Sequence, residues 1–307
     1  MLDGALTIDF GTSGSRLIPV MRDQTALPVD ALLIDRAPED VAALLPRIFN
    51  LCAEAQGMAA RLALGLALDD DADDRLRAEI LREHVMRICV LWPRSLGWMD
   101  VGSGVQPRLD RDLKPALFGP TGGVPASLGG FNDWIRSGEG AAPALLRLVQ
   151  TTFAPDEATV DALDPITLST AWTGTPVENA PAMRQQAHPL MRVIEDSFGR
   201  GPMWRVLARI VEAEALLDGW RPKWHLHPDG TAEVPAARGQ YFVCAEVTDG
   251  CVTRFSRRTP TDHARLSGGV LEQSLASLPF DKKHLAHAVV GILDPCVPVR
   301  MGEVANA

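Results

Sequence analysis

Leu45-Pro46-Arg47-Ile48-Phe49-Asn50-Leu51-Cys52 lies where one amphipathic pattern stops and another starts. Asp40 to Leu45 and Ile48 to Leu68 both carry apolar residues at three- and four-residue spacing, the signature of helices with one buried face. Pro46 has no amide to donate, so the reading places it at the first turn of the second helix, where that amide has no partner anyway. The acidic run Asp69 to Asp74 separates this helix from a third, expected from about Asp73 to Trp92. Carboxylates at a helix N-terminus suit its dipole, so the run reads as a solvated cap rather than a metal site.

Working outward, the spacing predicts helices at Ala141 to Phe153, Asp156 to Leu163, Ala180 to Ser197 and Pro202 to Asp218. Gly102 to Gly130, rich in Gly and Pro, reads as an irregular connection. Ala5 to Val20 reads as strand, turn and strand. Gln240 to Val247 and Cys251 to Arg257 flank Asp249-Gly250 and form the clearest hairpin. The expected fold class is mainly α with α+β elements: one unit over residues 1–307, a helical bundle with a short strand hairpin near each end.

At 307 residues, 46% hydrophobic and 22% charged, the chain has globular proportions, which excludes a disordered, collagen-like or disulfide-scaffold protein. Asp and Glu number 39 against 30 Lys and Arg, a net charge of −9 that argues against a general grip on nucleic acid or anionic membrane. The longest strongly apolar run, Leu62 to Leu68, is too short to span a bilayer. Met1-Leu2-Asp3-Gly4 lacks the basic start of a secretory signal, and the five cysteines read as reduced thiols. The expected location is cytoplasmic.

Several motifs favour ordinary structural roles. His225 and His227 share a strand face, and His284 and His287 lie near one helix face, but neither pair has the Cys or carboxylate set that completes a zinc site. Cys244 and Cys251 flank a two-residue turn that pairs Thr248 with Cys251, so the thiols do not face each other. Cys89 reads as core. Ile8-Asp9-Phe10-Gly11-Thr12-Ser13-Gly14-Ser15 resembles the phosphate hairpin of actin and sugar-kinase ATPases, an alternative reading in which Asp9 works through a metal. The second hairpin of those ATPases has no counterpart, and Ser267-Gly268-Gly269 is a poor adenosine motif.

Two cysteines stand in a different setting. Cys52 ends Pro46-Arg47-Ile48-Phe49-Asn50-Leu51-Cys52, and Cys296 lies in Asp294-Pro295-Cys296-Val297-Pro298-Val299. These segments resemble the two metal-binding motifs of NiFe-hydrogenase large subunits, each a Cys-x-x-Cys, one after Pro-Arg-Ile and one after Asp-Pro. Phe49 replaces the first cysteine of the first motif, Val299 replaces the second cysteine of the last, and Gln56 stands where a histidine is usual. Leu2-Asp3-Gly4-Ala5-Leu6 resembles a degraded form of the family's opening motif. Pro235-Ala236-Ala237-Arg238-Gly239 and Arg258-Thr259-Pro260-Thr261 resemble its cyanide-pocket elements. Five short blocks in the family's order cover most of the chain, which is shorter than a catalytic large subunit and has only Arg300 to Ala307 after the last motif.

That combination is similar to the large-subunit-like maturation proteins of the HupK/HoxV type. The resemblance implies a non-catalytic scaffold that holds the Fe(CN)2(CO) fragment and transfers it to the large-subunit precursor, in company with HypC/HypD-type maturation proteins. It implies Cys52 and Cys296 as iron ligands, through both thiolates or through one alone since the pair is not the family's usual iron-holding one, Arg238 and Thr261 as donors to the cyanides, and Asp294 as the group that orients Arg238 or the backbone near Cys296. Loss of two cysteines removes the nickel-preferring set, whereas low-spin ferrous iron with three diatomic ligands needs few further donors, and soft thiolates suit it. With two thiolates it carries a formal charge of about −2, costly to bury unless paired, and Arg238 supplies a permanent cation. A cofactor-free interaction protein of hydrogenase assembly is the other alternative. The reading also expects Cys52 and Cys296 to meet deep in the fold, with Arg238 and Thr261 facing the same pocket.

Overall fold

Two non-glycine residues with left-handed backbone, Cys52 (φ 55°) and Asp294 (φ 56°), end up close together at the centre of the molecule, and the fold is best followed by how the chain reaches them. A computed structural model describes residues 5–13, 16–23, 29–49, 51–97 and 112–304. The chain opens with strands β1 (Leu6–Ser13) and β2 (Arg16–Asp23), then helices α1 (Pro38–Ile48), α2 (Ala53–Ala63) and α3 (Ala72–Met86). A π-helical turn, Arg87–Leu91, leads into α4 (Trp92–Ser95). There follow α5 (Leu113–Phe118), α6 (Leu128–Ser137), α7 (Ala141–Thr152), α8 (Leu168–Ala171), α9 (Pro181–Gln185), α10 (Pro189–Phe198) and α11 (Pro202–Leu217). Strands β3 (His225–Leu226), β4 (Ala232–Ala236), β5 (Gly239–Thr248) and β6 (Cys251–Arg258) make a second sheet. Helices α12 (Pro260–Ala264), α13 (Val270–Ala276) and α14 (Ala286–Leu293) and strand β7 (Val299–Val304) complete the chain.

The first sheet has the order β2-β1-β7. β1 and β2 are an antiparallel hairpin, and β7 runs parallel to β1 with Leu6 opposite Val299. Alternation sends Leu6, Ile8, Phe10 and Leu17 into the core and leaves Ile18 and Val20 exposed. The second sheet is the antiparallel run β3-β4-β5-β6. Its β5–β6 turn pairs Thr248 with Cys251 as expected, with Asp249 (φ 52°) and Gly250 (φ 76°) in the left-handed conformation that a tight two-residue hairpin requires. One core gathers α11, α7, α10 and α14 with the first sheet; the other packs α1 and α2 against β4, β5 and β6.

The mainly helical class with small strand elements is as the sequence indicates, but four local expectations need correction. Pro46 lies inside the last turn of α1 rather than opening the next helix; the break falls at Phe49 to Cys52. Its ring packs where a side chain on Gly57 would sit, 2.9 Å from an ideal Cβ there, so α1 and α2 approach closely. Asp156 to Leu163 is not a helix: Asp156 and Ala158 both have positive φ. The segment Ala180 to Ser197 is two helices, because Pro189 starts a new one behind the His188 cap. Of the Gly/Pro-rich stretch 102–130, residues 113–121 and 128–130 are helical. No helix among the described residues is long and apolar enough to cross a membrane.

Helix α11 is buried along almost its whole length, Pro202 to Ala213 without interruption. Yet it carries Arg205, Arg209 and Glu212 at i, i+4 and i+7, on one stripe. Each is matched from elsewhere. Arg205 forms a two-pronged pair with Glu178 (3.0 and 2.9 Å), and Arg209 bonds Asp294 at 3.0 Å. Glu212 accepts from Arg184 (2.6 and 2.9 Å) and meets His84 at 2.8 Å. Burial pushes the Glu212 carboxyl up, but Arg184 and His84 outweigh it and hold the group near 2. Its pairing therefore adds stability above the ordinary carboxylate value of 4.5 and loses it as pH falls toward 2. Glu212→Gln is expected to lower stability at pH 7 by about 3 kcal/mol, the size of a broken buried pair. In urea titrations its deficit against the parent should shrink below about pH 4.5; a deficit independent of pH would exclude the ionic origin.

Candidate functional site

Cys52 sits at the N-cap of α2, and its left-handed backbone is held by neighbours that the sequence places nearby. Gln56 donates to the Leu51 carbonyl at 2.7 Å through Nε2, its backbone amide donates to the Cys52 carbonyl at 3.0 Å, and the Tyr241 hydroxyl donates to its Oε1 at 3.3 Å. Gln56, where the resemblance puts a histidine, is thus a buried brace for the cysteine turn. The free amides of Glu54 and Ala55 at the start of α2 donate to Glu79 of α3, at 2.9 and 3.2 Å. That cap from another helix occupies the positive end of the α2 dipole, which would otherwise favour a thiolate. Burial pushes the Cys52 thiol up to about 11, with Glu79, Glu83 and Cys296 adding to the effect and Arg238 opposing it.

Cys296 follows the end of α14, where Asp294 is the left-handed C-cap. Its backbone amide donates to the Thr261 hydroxyl at 2.8 Å, and its thiol lies 3.8 Å from the Thr259 hydroxyl. The geometry of that wall comes from α12, whose Thr259 and Asp262 form a reciprocal capping box. Burial raises the Cys296 thiol as well, against opposing bonds from Thr261 and Thr259 and the charge of Arg238. Both thiols are therefore protonated at neutral pH.

Arg238 joins the two motifs. It projects from the β4–β5 turn, which is clamped by Asn179: its Oδ1 accepts from the Gln240 amide at 2.6 Å and its Nδ2 donates to the Gln240 carbonyl at 2.9 Å. Gly239 (φ 148°) is required there, because a Cβ would lie 2.4 Å from Asn179 Oδ1. The guanidinium donates to Cys52 Sγ (3.2 Å), to the Asp294 carbonyl oxygen (3.1 Å) and carboxylate (3.3 Å), and to Glu83 (3.3 Å). Asp294 also receives Arg87 at 2.6 Å and Arg209 at 3.0 Å. Burial alone would raise the Asp294 carboxyl, but Arg238, Arg209 and Arg87 hold it below its usual value.

The structure thus brings together Cys52, Cys296, Arg238, Thr261 and Asp294. Sequence reading missed Glu79, Glu83, Arg87, Arg209 and Thr259. Glu79, Glu83 and Arg87 recur every four residues, so α3 lays one polar stripe along the site; that spacing was the available signal. Phe49, at the first lost cysteine position, is buried beneath the Arg257 guanidinium, 3.9 Å from its ring centre. Val299, at the second, begins β7. Asp3 and the Gly14-Ser15 turn of the N-terminal hairpin lie outside the described residues, and Asp9 is ion-paired with Arg22 at 3.1 Å. His227 bonds Glu233 at 2.9 Å, and His284 and His287 are exposed. No cluster of three or more His, Cys, Asp or Glu side chains arranged for a metal occurs among the described residues.

Around the two thiols stand three guanidiniums (Arg87, Arg209, Arg238) and three carboxylates (Glu79, Glu83, Asp294), so the charged groups balance while the thiols keep their protons. An occupant that takes the thiols as thiolates must expel those protons, with Arg238 as the cation at the Cys52 sulfur.

No protein-family model matches the chain. The hydrogenase expression/formation protein HupK of Rhodobacter capsulatus is 43% identical over an alignment that covers all of both chains. The hydrogenase expression/formation protein HoxV of Cupriavidus necator is 24% identical, with 92% of each covered. Among solved structures, the Ni-Fe-Se hydrogenase of D. vulgaris Hildenborough superposes with a TM-score of 0.60 over 92% of this chain and 94% of that one, at 13% identity. An NAD+-reducing NiFe-hydrogenase superposes at 0.54, with 92% of each chain covered and 13% identity. These structural likenesses concern the fold, which is that of a NiFe-hydrogenase large subunit. On the full-length identity to HupK, the chain belongs to the family of large-subunit-like hydrogenase expression/formation proteins that includes HupK and HoxV.

Proposed function

We propose that the protein is a non-catalytic maturation scaffold that receives the Fe(CN)2(CO) fragment and passes it to the hydrogenase large-subunit precursor. The observation that carries this reading is one buried guanidinium, Arg238, that donates to Cys52 and to the Asp294 carbonyl two residues before Cys296 and acts through its charge on both thiols, in a fold shared with hydrogenases. On loading through both cysteines, the bonds that hold the fragment on its donor break, the two S–H protons leave to solvent buffer and two Fe–S bonds form; the neutral iron fragment and two thiolates then carry a formal charge of −2. Arg238 meets that charge and donates to a cyanide nitrogen. Thr261, whose oxygen accepts from the Cys296 amide, keeps its proton to give to the second cyanide. Phe49 and Val299 offer no thiolates, so the four-sulfur set that a nickel-iron centre uses is absent from these positions, which supports cargo holding over hydrogen turnover. The partners that follow are HypC/HypD-type donors and the large-subunit precursor as acceptor, in the cytoplasm where assembly takes place.

Infrared spectroscopy tests the reading directly, since CO and CN stretches lie clear of protein bands. Protein purified without oxygen from a host with its own maturation system should show such bands with iron and without nickel. Cys52→Ala and Cys296→Ala should abolish them; an empty window in iron-free parent protein would instead favour the cofactor-free interaction protein.

Arg238→Lys keeps the charge but loses the planar fork that reaches Cys52 and Asp294 together. Losing hydrogen bonds to a charged group costs about 1.5–3 kcal/mol, so occupancy should fall roughly 10- to 100-fold and the remaining cyanide bands should move. Unchanged bands at full occupancy would remove Arg238 from the site.

A further inference from the structure

The face of the second sheet turned away from the α1–α2 core carries an open groove that none of Cys52, Cys296, Arg238, Thr261 or Asp294 lines. Strand register builds its floor. Val243 and Phe255 point into the core, so the cross-strand pairs Cys244–Ser256 and Glu246–Arg254, with Arg258 beyond them, lie on the other face. Trp172, the C-cap of α8, forms the opposite wall. His263 of α12 anchors it. Its Nδ1 accepts from Asn179 at 3.1 Å, so its Nε2 carries the proton and donates to the Ala171 carbonyl at 2.9 Å. A cleft of about 510 Å³ lies on the sheet side of Trp172, and one of about 390 Å³ on the α12 side. Both share Trp172 and Arg258, whose guanidinium stacks 5.8 Å from the ring centre, so they join as one bent groove.

The charge in this groove runs against that of the chain. Arg254, Arg257, Arg258 and Arg265 line it against Asp229, Glu246 and Asp262, while the remaining 26 basic and 36 acidic residues leave the rest of the protein strongly negative. Among the described residues no carboxylate pairs with Arg258, which bonds only the Arg257 carbonyl, at 3.4 Å. Arg254 meets Glu246 at 2.7 Å, but the two side chains are 60% and 61% exposed, and so exposed a pair contributes little and leaves room for a second carboxylate. Asp262, the partner of Arg265, is already taken up with capping α12.

We propose that this groove docks an extended, carboxylate-rich segment of a partner protein. Length sets the class. Arg254 to Arg258 alone cover about 13 Å at about 3.3 Å per residue, and the groove then turns past Trp172 to Arg265. Guanidiniums spread along such a path cannot be spanned by one small anion, and a flat folded surface does not enter it. Each can take a carboxylate two-pronged, and the half-buried Trp172 and Leu266 offer apolar contact to a side chain between acidic ones. The negative remainder of the surface repels such a segment and steers it to this one place. The groove stands apart from the thiols and does not rest on the iron fragment being the cargo.

The test uses full-length, iron-free protein and a fluorescein-labelled peptide of six glutamates around a central leucine, followed by anisotropy. One-to-one binding is expected in about 50 mM salt and should weaken at least tenfold by about 300 mM. Arg258→Glu should weaken it at least tenfold. Ser256→Glu sets a carboxylate on the floor without touching the Trp172 stack and should do the same. Arg221→Glu, which alters an exposed pair with Asp74 outside the groove, should change binding less than twofold. Bound peptide should protect Cys244 on the floor from alkylation and leave Cys251, at the β5–β6 turn, reacting at its free rate. No binding at low salt, equal protection of both cysteines, or equal weakening by Arg221→Glu and Arg258→Glu overturns the proposal. So does citrate binding as tightly as the peptide, which would make the groove a small-anion site.

Discussion

One buried carboxylate, Asp294, sets the terms for the centre of this molecule. It is 6% exposed and accepts from three guanidiniums that arrive from three directions: Arg87 at the end of α3, Arg209 in the middle of α11 and Arg238 at the β4–β5 turn. Taking any one of these charges out of water costs several kcal/mol, which is recovered only when the whole set is assembled with good geometry. The second sheet, the two long central helices and the C-terminal segment are thereby locked into one arrangement around a point in the chain two residues before Cys296. Apolar packing brings these elements together, but it does not fix their relative sliding to within a hydrogen bond. The ionic knot does, and the two cysteine motifs inherit that precision.

How much of this was legible in the sequence differs between the parts. The five residues of the candidate site were legible only through the resemblance of the short islands that hold them: Pro46-Arg47-Ile48 ahead of Cys52, Asp294-Pro295 ahead of Cys296, Arg238-Gly239, and Arg258-Thr259-Pro260-Thr261. The ring of charge around them was not. Arg209 and Glu212 look like the solvent face of an amphipathic helix, and only the tertiary structure shows that α11 has no solvent face. Pro46 was misplaced because the rule for proline at a helix start competes with its tolerance in a last turn, and the close approach to Gly57 decided the matter. Asp156 to Leu163 has apolar spacing suited to a helix, but Asp156 and Ala158 adopt positive φ. Strand β7 was missed because its partner, β1, lies almost the whole chain away, and such pairings leave no local trace.

The substitutions at the metal-motif positions are filled rather than left vacant. Phe49 occupies its place as a buried ring with the Arg257 guanidinium stacked on it, a contact with both apolar and cation–π character. Gln56 replaces an ionisable ring with a neutral amide that spans Leu51 and Tyr241. Each change trades a group able to bind metal or move protons for one that holds shape. The fold has kept the architecture of a hydrogenase large subunit while its remaining polar chemistry is concentrated on two thiols and a cation.

The state of those thiols follows from where the chain places its negative charge. A cysteine at the start of a helix ordinarily gains acidity from the exposed amides, but Glu79 of α3 takes the two nearest amides of α2 for itself. The field that would have stabilised a thiolate at Cys52 is spent on a carboxylate one layer deeper. Glu83, the next residue of the same stripe, shares Arg238 with Cys52 and so competes for the cation that contacts the sulfur. Both acidic residues push the thiol in the same direction, toward holding its proton. A site built to keep a permanent metal would gain from the opposite arrangement, with amides and cations free to stabilise bound thiolates. Here the resting protein already satisfies itself without an occupant, so the metal fragment of the proposed function would have to displace protons on binding and let them return on release. That balance is the electrostatic form a temporary holder requires, and it is set by α3 rather than by the cysteine motifs themselves.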